Sequence, residues 1–281
     1  MMNNCIVCHS SQAEPFYPGI LKCKQCGHVV ADLLLSDQEL FELYKKDYFF
    51  GDEYSDYVAD QKIIQKNFKL RLKTLKTFLK PTVHTKLFEI GCAYGFFLDI
   101  AQSRFTQVQG IDITTDGIRY AREVLKLDVL QADLLKHDFG KQKFDVVCMW
   151  DTIEHLRQPE QYIEKISKQM ESGALLAITT GNIGSLNARL RKEKWRLIHP
   201  PTHIHYFSKQ SLANMLNNYS FDVVYNRYCG FYRSVDNIAY NIFILRHKQP
   251  KLYKLLKQLK LTKFDFYLNL YDIMYVIACK R

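Results

Sequence analysis

From Lys86 onward the chain alternates short apolar runs with amphipathic ones, and this rhythm restricts the fold more than any other feature. The expected strands are KLFEI (86–90), VQGIDI (108–113), LDVLQA (127–132), FDVVCMW (144–150), ALLAITT (174–180), FDVVYN (221–226) and YVIACK (275–280). Helical patterns lie between most of them, near Phe96–Ser103, Asp116–Leu125, Pro159–Gln169 and Lys209–Asn217. A helix between two strands returns the chain to the same edge of a sheet, so such strands run parallel. The expectation is an α/β fold built on a doubly wound, mostly parallel, seven-stranded sheet. An earlier helical pattern, Ile63 to Leu79, is closed by Pro81. The 281 residues suffice for one large domain with a small appendage.

The appendage is marked by cysteines. Cys5-x-x-Cys8 is followed after fourteen residues by Cys23-x-x-Cys26-Gly27. Each pair makes a tight knuckle whose backbone N–H groups stabilise thiolates, and two knuckles give the tetrahedral S4 set that zinc prefers. Iron is the alternative for the same geometry. With all four positions filled by protein, the expected Zn2+ is structural, offsetting the missing core of so short a unit. His9 and His28 are read as bystanders. The four remaining cysteines, Cys92, Cys148, Cys229 and Cys279, read as small buried hydrophobes. The expected organisation is a zinc ribbon over 1–35, a connector and lid over 36–85, and the main domain over 86–281. Ser36 with Glu39 reads as a helix cap, and YKKDYFFGDEYSDY follows it.

The first strand of the main domain runs into LFEIGCAYGFFLDI. Gly91 and Gly95 flank a turn that must leave a strand, open a helix and bring backbone close to a ligand. The spacing does not fit the Gly-x-Gly-x-x-Gly of dinucleotide enzymes. Glu89-Ile90-Gly91-Cys92-Ala93-Tyr94-Gly95 resembles instead the acidic-x-Gly-x-Gly-x-Gly loop of class I S-adenosyl-L-methionine (SAM)-dependent methyltransferases. Ala93 stands for the middle glycine, and Phe97 for a further small residue. Asp112 follows about 20 residues later and Asp133 about 20 beyond that, and FDVVCMWDTIEHLRQPE resembles the family's fourth strand and loop. The resemblance covers about Lys86 to Ile178. It implies a Rossmann-like methyltransferase fold with SAM as cofactor and S-adenosyl-L-homocysteine as product. It places cofactor contacts at Glu89, Gly91, Cys92, Ala93, Tyr94, Gly95, Asp112, Ile113, Asp133, Leu134 and Trp150. Asp112 would meet the ribose hydroxyls and Asp133 the adenine amine. Tyr48, Tyr54 and Tyr57 are candidates, with Trp150, for an aromatic wall or lid beside the sulfonium.

The acceptor side is expected in the insert over 181–208, GNIGSLNARLRKEKWRLIHPPTHIHYFS. Pro200 and Pro201 forbid a continuous helix there, so His199 and His203 cannot form a helical metal pair. His203 and His205 share a face if the segment is extended, but no other metal ligand is near in sequence. PPTHIHYFS resembles a segment of bacterial glycan, lipid and quinone methyltransferases, and of deoxysugar C-methyltransferases that also carry an amino-terminal zinc unit. In that alignment His203 matches a catalytic histidine, while Thr202 replaces the glutamate beside it. His203 is therefore the candidate base. An imidazole, with its usual pKa near 6.5, suits removal of a hydroxyl proton during O-methylation.

The net charge of +10 is unevenly placed. Arg246, Lys248, Lys251, Lys254, Lys257, Lys260 and Lys263 occur with no acid among them, and Arg189–Arg196 forms a second basic stretch. An anionic small-molecule or glycan acceptor follows. On a helix, Leu252, Leu255, Leu256 and Leu259 fall within about 100° of arc. The leucines are expected to pack on the domain, the alternative being a basic amphipathic helix over 250–263 on an anionic membrane. MMNNCIVCHS has no basic or apolar leader pattern, so a cytoplasmic protein is expected, with peripheral membrane contact as that alternative. RNA methylation, or a non-catalytic assembly role, is the competing function.

Overall fold

The computed structural model describes residues 4–33, 39 and 57–281. The boundary expected at residue 35, the Ser36 cap, Tyr48 and Tyr54 lie outside them.

The expected sheet is present. Its strands are β4 (Lys86–Ile90), β5 (Gln107–Asp112), β6 (Asp128–Gln131), β7 (Val146–Trp150), β8 (Leu175–Gly181), β10 (Phe221–Tyr228) and β13 (Ile273–Lys280). They lie in the order β6-β5-β4-β7-β8-β13-β10. Pairing is parallel from β6 to β8, and β13 is antiparallel to both of its neighbours. Burial on both faces explains why these strands read as continuous apolar runs. Val147, Met149, Leu176 and Ile178 enter one core with Ile163, Ile166, Leu212 and Leu216. Val146, Cys148, Leu175 and Ala177 enter the other with Leu72, Leu75, Leu98 and Ala121. The helices supplying those residues are α1 (Gln61–Lys76), α2 (Phe96–Ala101), α3 (Thr115–Glu123), α4 (Pro159–Lys168) and α6 (Lys209–Asn218). Cys92 and Cys148 are buried as expected, whereas Cys229 and Cys279 are only half-buried.

The amino-terminal unit is tied into the main domain. Its strands β1 (Ala13–Tyr17), β2 (Ile20–Cys23) and β3 (Val29–Ala31) form an antiparallel sheet completed by β9 (His205–Tyr206) of the distant insert. Val29 pairs with Tyr206 and Val30 with His205. Cys5, Val7 and Cys23 join the core beneath Leu212 and Met215. His28 is no bystander to packing: its buried ring lies 3.1 Å, Nε2 to Nδ1, from His205.

Between β10 and β13 the chain builds a lobe that the alternating pattern did not announce. A hairpin of β11 (Phe231–Ser234) and β12 (Asp265–Leu268) encloses α7 (Val235–Tyr240), a π-helical turn Asn241–Arg246, and α8 (Pro250–Gln258). The leucines of α8 do not pack on the domain as expected. Leu252, Leu255 and Leu259 are exposed, and the helix has no buried residue.

The insert, with α5 (Leu186–Arg191), is held to β13 by one carboxylate. Asp272 is buried and accepts from Trp195 Nε1 (2.9 Å), Asn187 Nδ2 (2.8 Å) and Arg196 Nη2 (3.1 Å). Removing it strands a buried indole N–H and a partly buried guanidinium. Asp272→Ala should therefore destabilise the protein by about 3–5 kcal/mol. Denaturant unfolding checks this, and a change below about 1 kcal/mol would show that the hub is dispensable.

Candidate active site

The carboxyl ends of β4, β5, β6 and β7 open into a cavity of about 1220 Å3. In a doubly wound sheet this is the edge at which ligands bind. The first wall is the turn after β4. Gly91 and Gly95 both have φ of +76°, the left-handed region that glycine tolerates. A Cβ on Gly91 would stand 2.6 Å from Thr152 Oγ1, and one on Gly95 2.5 Å from Leu127 Cδ1. Ala93 also has positive φ, at +45°. Its strained backbone is fixed by its N–H, which donates to Asp112 Oδ2 at 2.8 Å. The other oxygen of Asp112 accepts from the N–H and hydroxyl of Thr114.

Of the residues expected to touch cofactor, Gly91, Ala93, Asp112, Ile113, Asp133, Leu134 and Trp150 line this cavity. Glu89, Cys92, Tyr94 and Gly95 stand behind the wall. Tyr94 packs with Tyr57, Phe96 and Tyr120, and Gly95 begins α2. Glu89 is buried, and its Oε2 has no hydrogen-bond partner among the described residues. Burial, and next the Asp112 carboxylate, push its pKa well above the usual carboxylate range, against the pull of Arg71. Burial also raises Asp112, opposed by its bonds to Thr114 and Ala93. Asp133 caps the turn Leu134–Lys136 through Leu135 N–H and accepts from the Tyr162 hydroxyl at 3.0 Å. Tyr57, the one expected lid tyrosine that is described, lines the cavity and stacks on Phe96.

The insert supplies the opposing part. His203 lines the cavity, and its Nδ1–H donates to the Leu197 carbonyl at 2.9 Å, which leaves Nε2 as the ring's lone pair. His203 and His205 do not share a face: the ring of His205 turns to His28 and to the Arg157 carbonyl. His199 is exposed and bonds Thr202 Oγ1. The partners brought to His203 come instead from the loop after β7. The His155 ring is 4.6 Å away at 80°, and its Nδ1–H donates to the Thr202 carbonyl at 2.8 Å. Ligand atoms of Glu154, His155 and His203 lie within 4.8 Å of one another. These groups are 48 residues apart in the chain, too far for any local spacing to announce. Burial, and next His155, lower His203 to about 3. Burial lowers His155 and His205 to about 4 each. All three rings are neutral at physiological pH.

Sequence reasoning also missed several cavity residues. Arg71 of α1 bonds Asp151 at 2.7 Å, and Asp151 has positive φ, at +50°. Phe231 lies 4.6 Å from the Arg233 guanidinium and 5.7 Å from that of Arg196. All of these line the cavity. Arg71, Phe231 and Arg233 belong to no motif, Asp151 and Arg196 lie in segments that stand out for other reasons, and only convergence in space groups the five.

The cysteine unit is a second, separate site. Cys5 and Cys26 sulfurs lie 3.4 Å apart and those of Cys8 and Cys23 3.5 Å apart. All four sulfurs lie within 4.8 Å of one another. Tetrahedral S4 ligation at about 2.3 Å requires S···S separations of about 3.8 Å, so the cluster fits a metal of that type.

Comparison with known proteins decides the family. A family model described as a methyltransferase domain matches residues 61–226. The chain belongs to that family. It is 30% identical over 126 residues to a ubiquinone biosynthesis O-methyltransferase of Pelagibacter ubique, covering 42% of this chain and 49% of that protein. It is 26% identical over 156 residues to the enzyme of the same description from Glaesserella parasuis, covering 52% and 65%. The chain thus spans between half and two thirds of the length of these relatives. Among solved structures, a SAM-dependent methyltransferase of Archaeoglobus fulgidus has a TM-score of 0.55 at 19% identity, covering 83% of this chain and all of that one. Magnesium protoporphyrin IX methyltransferase of Synechocystis, solved with bound S-adenosyl-L-homocysteine, has 0.51 at 15%, covering 83% and 91%. At these identities the likeness is one of fold, and it is the class I fold.

The lowered histidines make stability pH-dependent with a definite sign. Unfolded imidazoles protonate near pH 6.5, whereas His155, His203 and His205 resist protonation down to about 4, 3 and 4. Between those limits the unfolded chain binds more protons, so their contribution is present above pH 6.5 and is lost as pH falls toward 4. Thermal melts should give a level Tm above about pH 7 and a steep fall below about pH 6. A flat profile to pH 4.5 would contradict the burial of these rings.

Proposed function

We propose that this protein transfers a methyl group from SAM to a hydroxyl of a small or glycan-type acceptor, such as a sugar, nucleotide-sugar, lipid or quinone-like molecule. The observation that carries the reading is one continuous cavity. It joins the Gly91–Ala93 turn, Asp112 and Asp133 to His203 on the insert. Its volume exceeds what one ligand needs and leaves space for a donor and an acceptor. Transfer to oxygen is favoured by the two relatives described as ubiquinone biosynthesis O-methyltransferases.

When bound, SAM supplies an electrophilic methyl on a sulfonium that is already a leaving group. The chain's residues then bind, align and deprotonate. Backbone at Gly91 and Ala93 lets the cofactor approach closely. Asp112 accepts from ribose hydroxyls, Asp133 from the adenine amine, and Ile113 and Leu134 flank the base. The raised Glu89 and Asp112 carboxyls gain from a cation nearby, which restores their ionised forms. Arg196 and Arg233, either side of Phe231, suit an anionic group on the acceptor.

His203 receives the acceptor hydroxyl at Nε2, with its tautomer fixed by Leu197. A ring held near 3 is a weak base toward a free alcohol. The hydroxyl becomes strongly acidic only as the new O–C bond forms, so His203 takes the proton late in the transfer. Cys5, Cys8, Cys23 and Cys26 hold one zinc ion, which fixes the ribbon that pairs with β9. The metal is then structural: the ribbon it fixes pairs with β9, which begins at His205, two residues beyond His203 in the chain.

Four measurements test this reading. His203→Gln should retain SAM binding by calorimetry and lose about 10²–10⁴-fold in turnover; unchanged turnover removes the base. Asp112→Asn should weaken SAM binding about ten- to hundredfold through weaker ribose hydrogen bonds. Metal analysis should find one zinc per chain, and Cys8→Ser should lose both the zinc and thermal stability. The acceptor class is read by incubating radiolabelled SAM with cell extract and separating metabolites, lipids and RNA. Label in metabolites or lipids supports the proposal, and label only in RNA overturns it.

A further inference from the structure

The lobe between β10 and β13 carries a surface that methyl transfer does not use. α8 is attached to α7 by one face only. There the Tyr253 hydroxyl donates to Asp236 Oδ1 at 3.1 Å, and Lys257 Nζ lies 3.3 Å from Asp236 Oδ2. On a helical wheel Tyr253 and Lys257 mark that attached face. Leu256, Leu252, Leu259 and Leu255 lie about 60–160° round from Tyr253, on the side turned from α7. Leu252 is 37% exposed, Leu255 48% and Leu259 58%, while Leu256, nearest the attached face, is half-buried. The chain that follows the helix adds further exposed apolar side chains, Leu261 (52%), Phe264 (64%), Tyr267 (51%) and Tyr271 (64%). Exposed Lys251 and Lys254 border the leucines across the helix, and Lys248, Lys260 and Lys263 stand at its ends. From Arg246 to Lys263 there are seven cations and no acid.

The geometry points to peripheral binding of an anionic lipid bilayer by this lobe, through α8 and the turns that follow it. The occupant is identified by two properties together. A row of exposed leucines and aromatic rings requires an apolar medium, and the lysines bordering it require negative charge at the boundary of that medium. An anionic membrane surface offers both, each lysine near it contributing attraction while its stem lies along the apolar layer. A second copy of this chain offers the leucines a partner but sets seven cations against seven. The same lobe forms an outer wall of the cavity through Phe231, Arg233, Asn237 and Ile238. Binding there sets the cavity beside the bilayer, where a membrane-held acceptor is concentrated.

Vesicle sedimentation with the full chain tests this. The vesicles are phosphatidylcholine alone, or phosphatidylcholine with about one-third phosphatidylglycerol. Wild-type protein should bind the anionic vesicles at least tenfold more tightly than the neutral ones, with binding weakened by salt. Leu255→Glu with Leu259→Glu should reduce that binding at least tenfold, as should Lys251→Glu with Lys254→Glu. SAM binding by calorimetry should be unchanged in both variants, which separates loss of the surface from loss of the fold or of the cofactor site. The inference is overturned if wild-type protein fails to bind anionic vesicles, or if either variant binds them as wild type does. It is equally overturned if sedimentation shows a dimer of the wild type that the leucine variant dissociates.

Discussion

The pairing of β3 with β9 is the contact on which the acceptor side depends. β9 is two residues long and β3 three, and neither strand is stable alone. Each borrows order from a different source. β3 belongs to the ribbon, whose own core is small and which a metal at the four sulfurs would lock. β9 belongs to an insert that begins at the end of β8 and is anchored by Asp272. Joined, they hold the segment from His199 to Phe207 between two rigid bodies. The His28–His205 bond fixes the same junction from the side-chain direction. A cysteine unit that reads in sequence as an appendage is thus a brace behind the segment that brings His203 to the cavity.

The electrostatics of the cavity are those of a site poised for charge it does not itself supply. Glu89 and Asp112 have raised pKa values because burial disfavours their ionised forms, and the Asp112 carboxylate raises Glu89 further. His155 and His203 are lowered for the complementary reason, since burial disfavours imidazolium, and neighbouring rings add to it, His199 for His155 and His155 for His203. On the proposed function, a sulfonium and ammonium near the carboxyls, and a hydroxyl at Nε2 of His203, would each relieve part of that cost. Arg71 joins the two sets, bonding Asp151 while lowering Glu89. Its place on α1 explains why a helix outside the alternating pattern belongs to the site.

What the sequence disclosed follows from how far apart the interacting parts lie. All seven strands of the main sheet were legible to within two residues at each end, because strands buried on both faces must be apolar at nearly every position. The glycine turn was legible because left-handed backbone restricts residue choice locally. Asp112 and Asp133 were legible because strand ends recur at regular intervals. The His155–His203 contact was not, and neither was β9, since each depends on chain folding across 48 to 177 residues. The hairpin of β11 and β12 escaped because its residues are largely exposed and carry no alternation. For α8 the periodicity gave the helix and its leucine face correctly. Periodicity reports that a face is apolar, and it carries no information about whether anything covers that face.

The two halves of the cavity differ in the same way. The cofactor half is built from the ends of consecutive parallel strands, so its geometry comes with the sheet itself. The acceptor half is assembled from α1, the loop after β7, the ribbon-braced insert and the lobe before β13, four segments with no contiguity in sequence. Asp272 and the β3–β9 pair lie outside the core clusters of the sheet, whereas α1 reaches that core through Leu72 and Leu75. A fold organised in this way keeps one donor chemistry fixed while the acceptor wall varies. On the proposed function, the acceptor would be selected by His203, Arg196, Phe231 and Arg233, which line the cavity, rather than by the glycine turn that reveals the family.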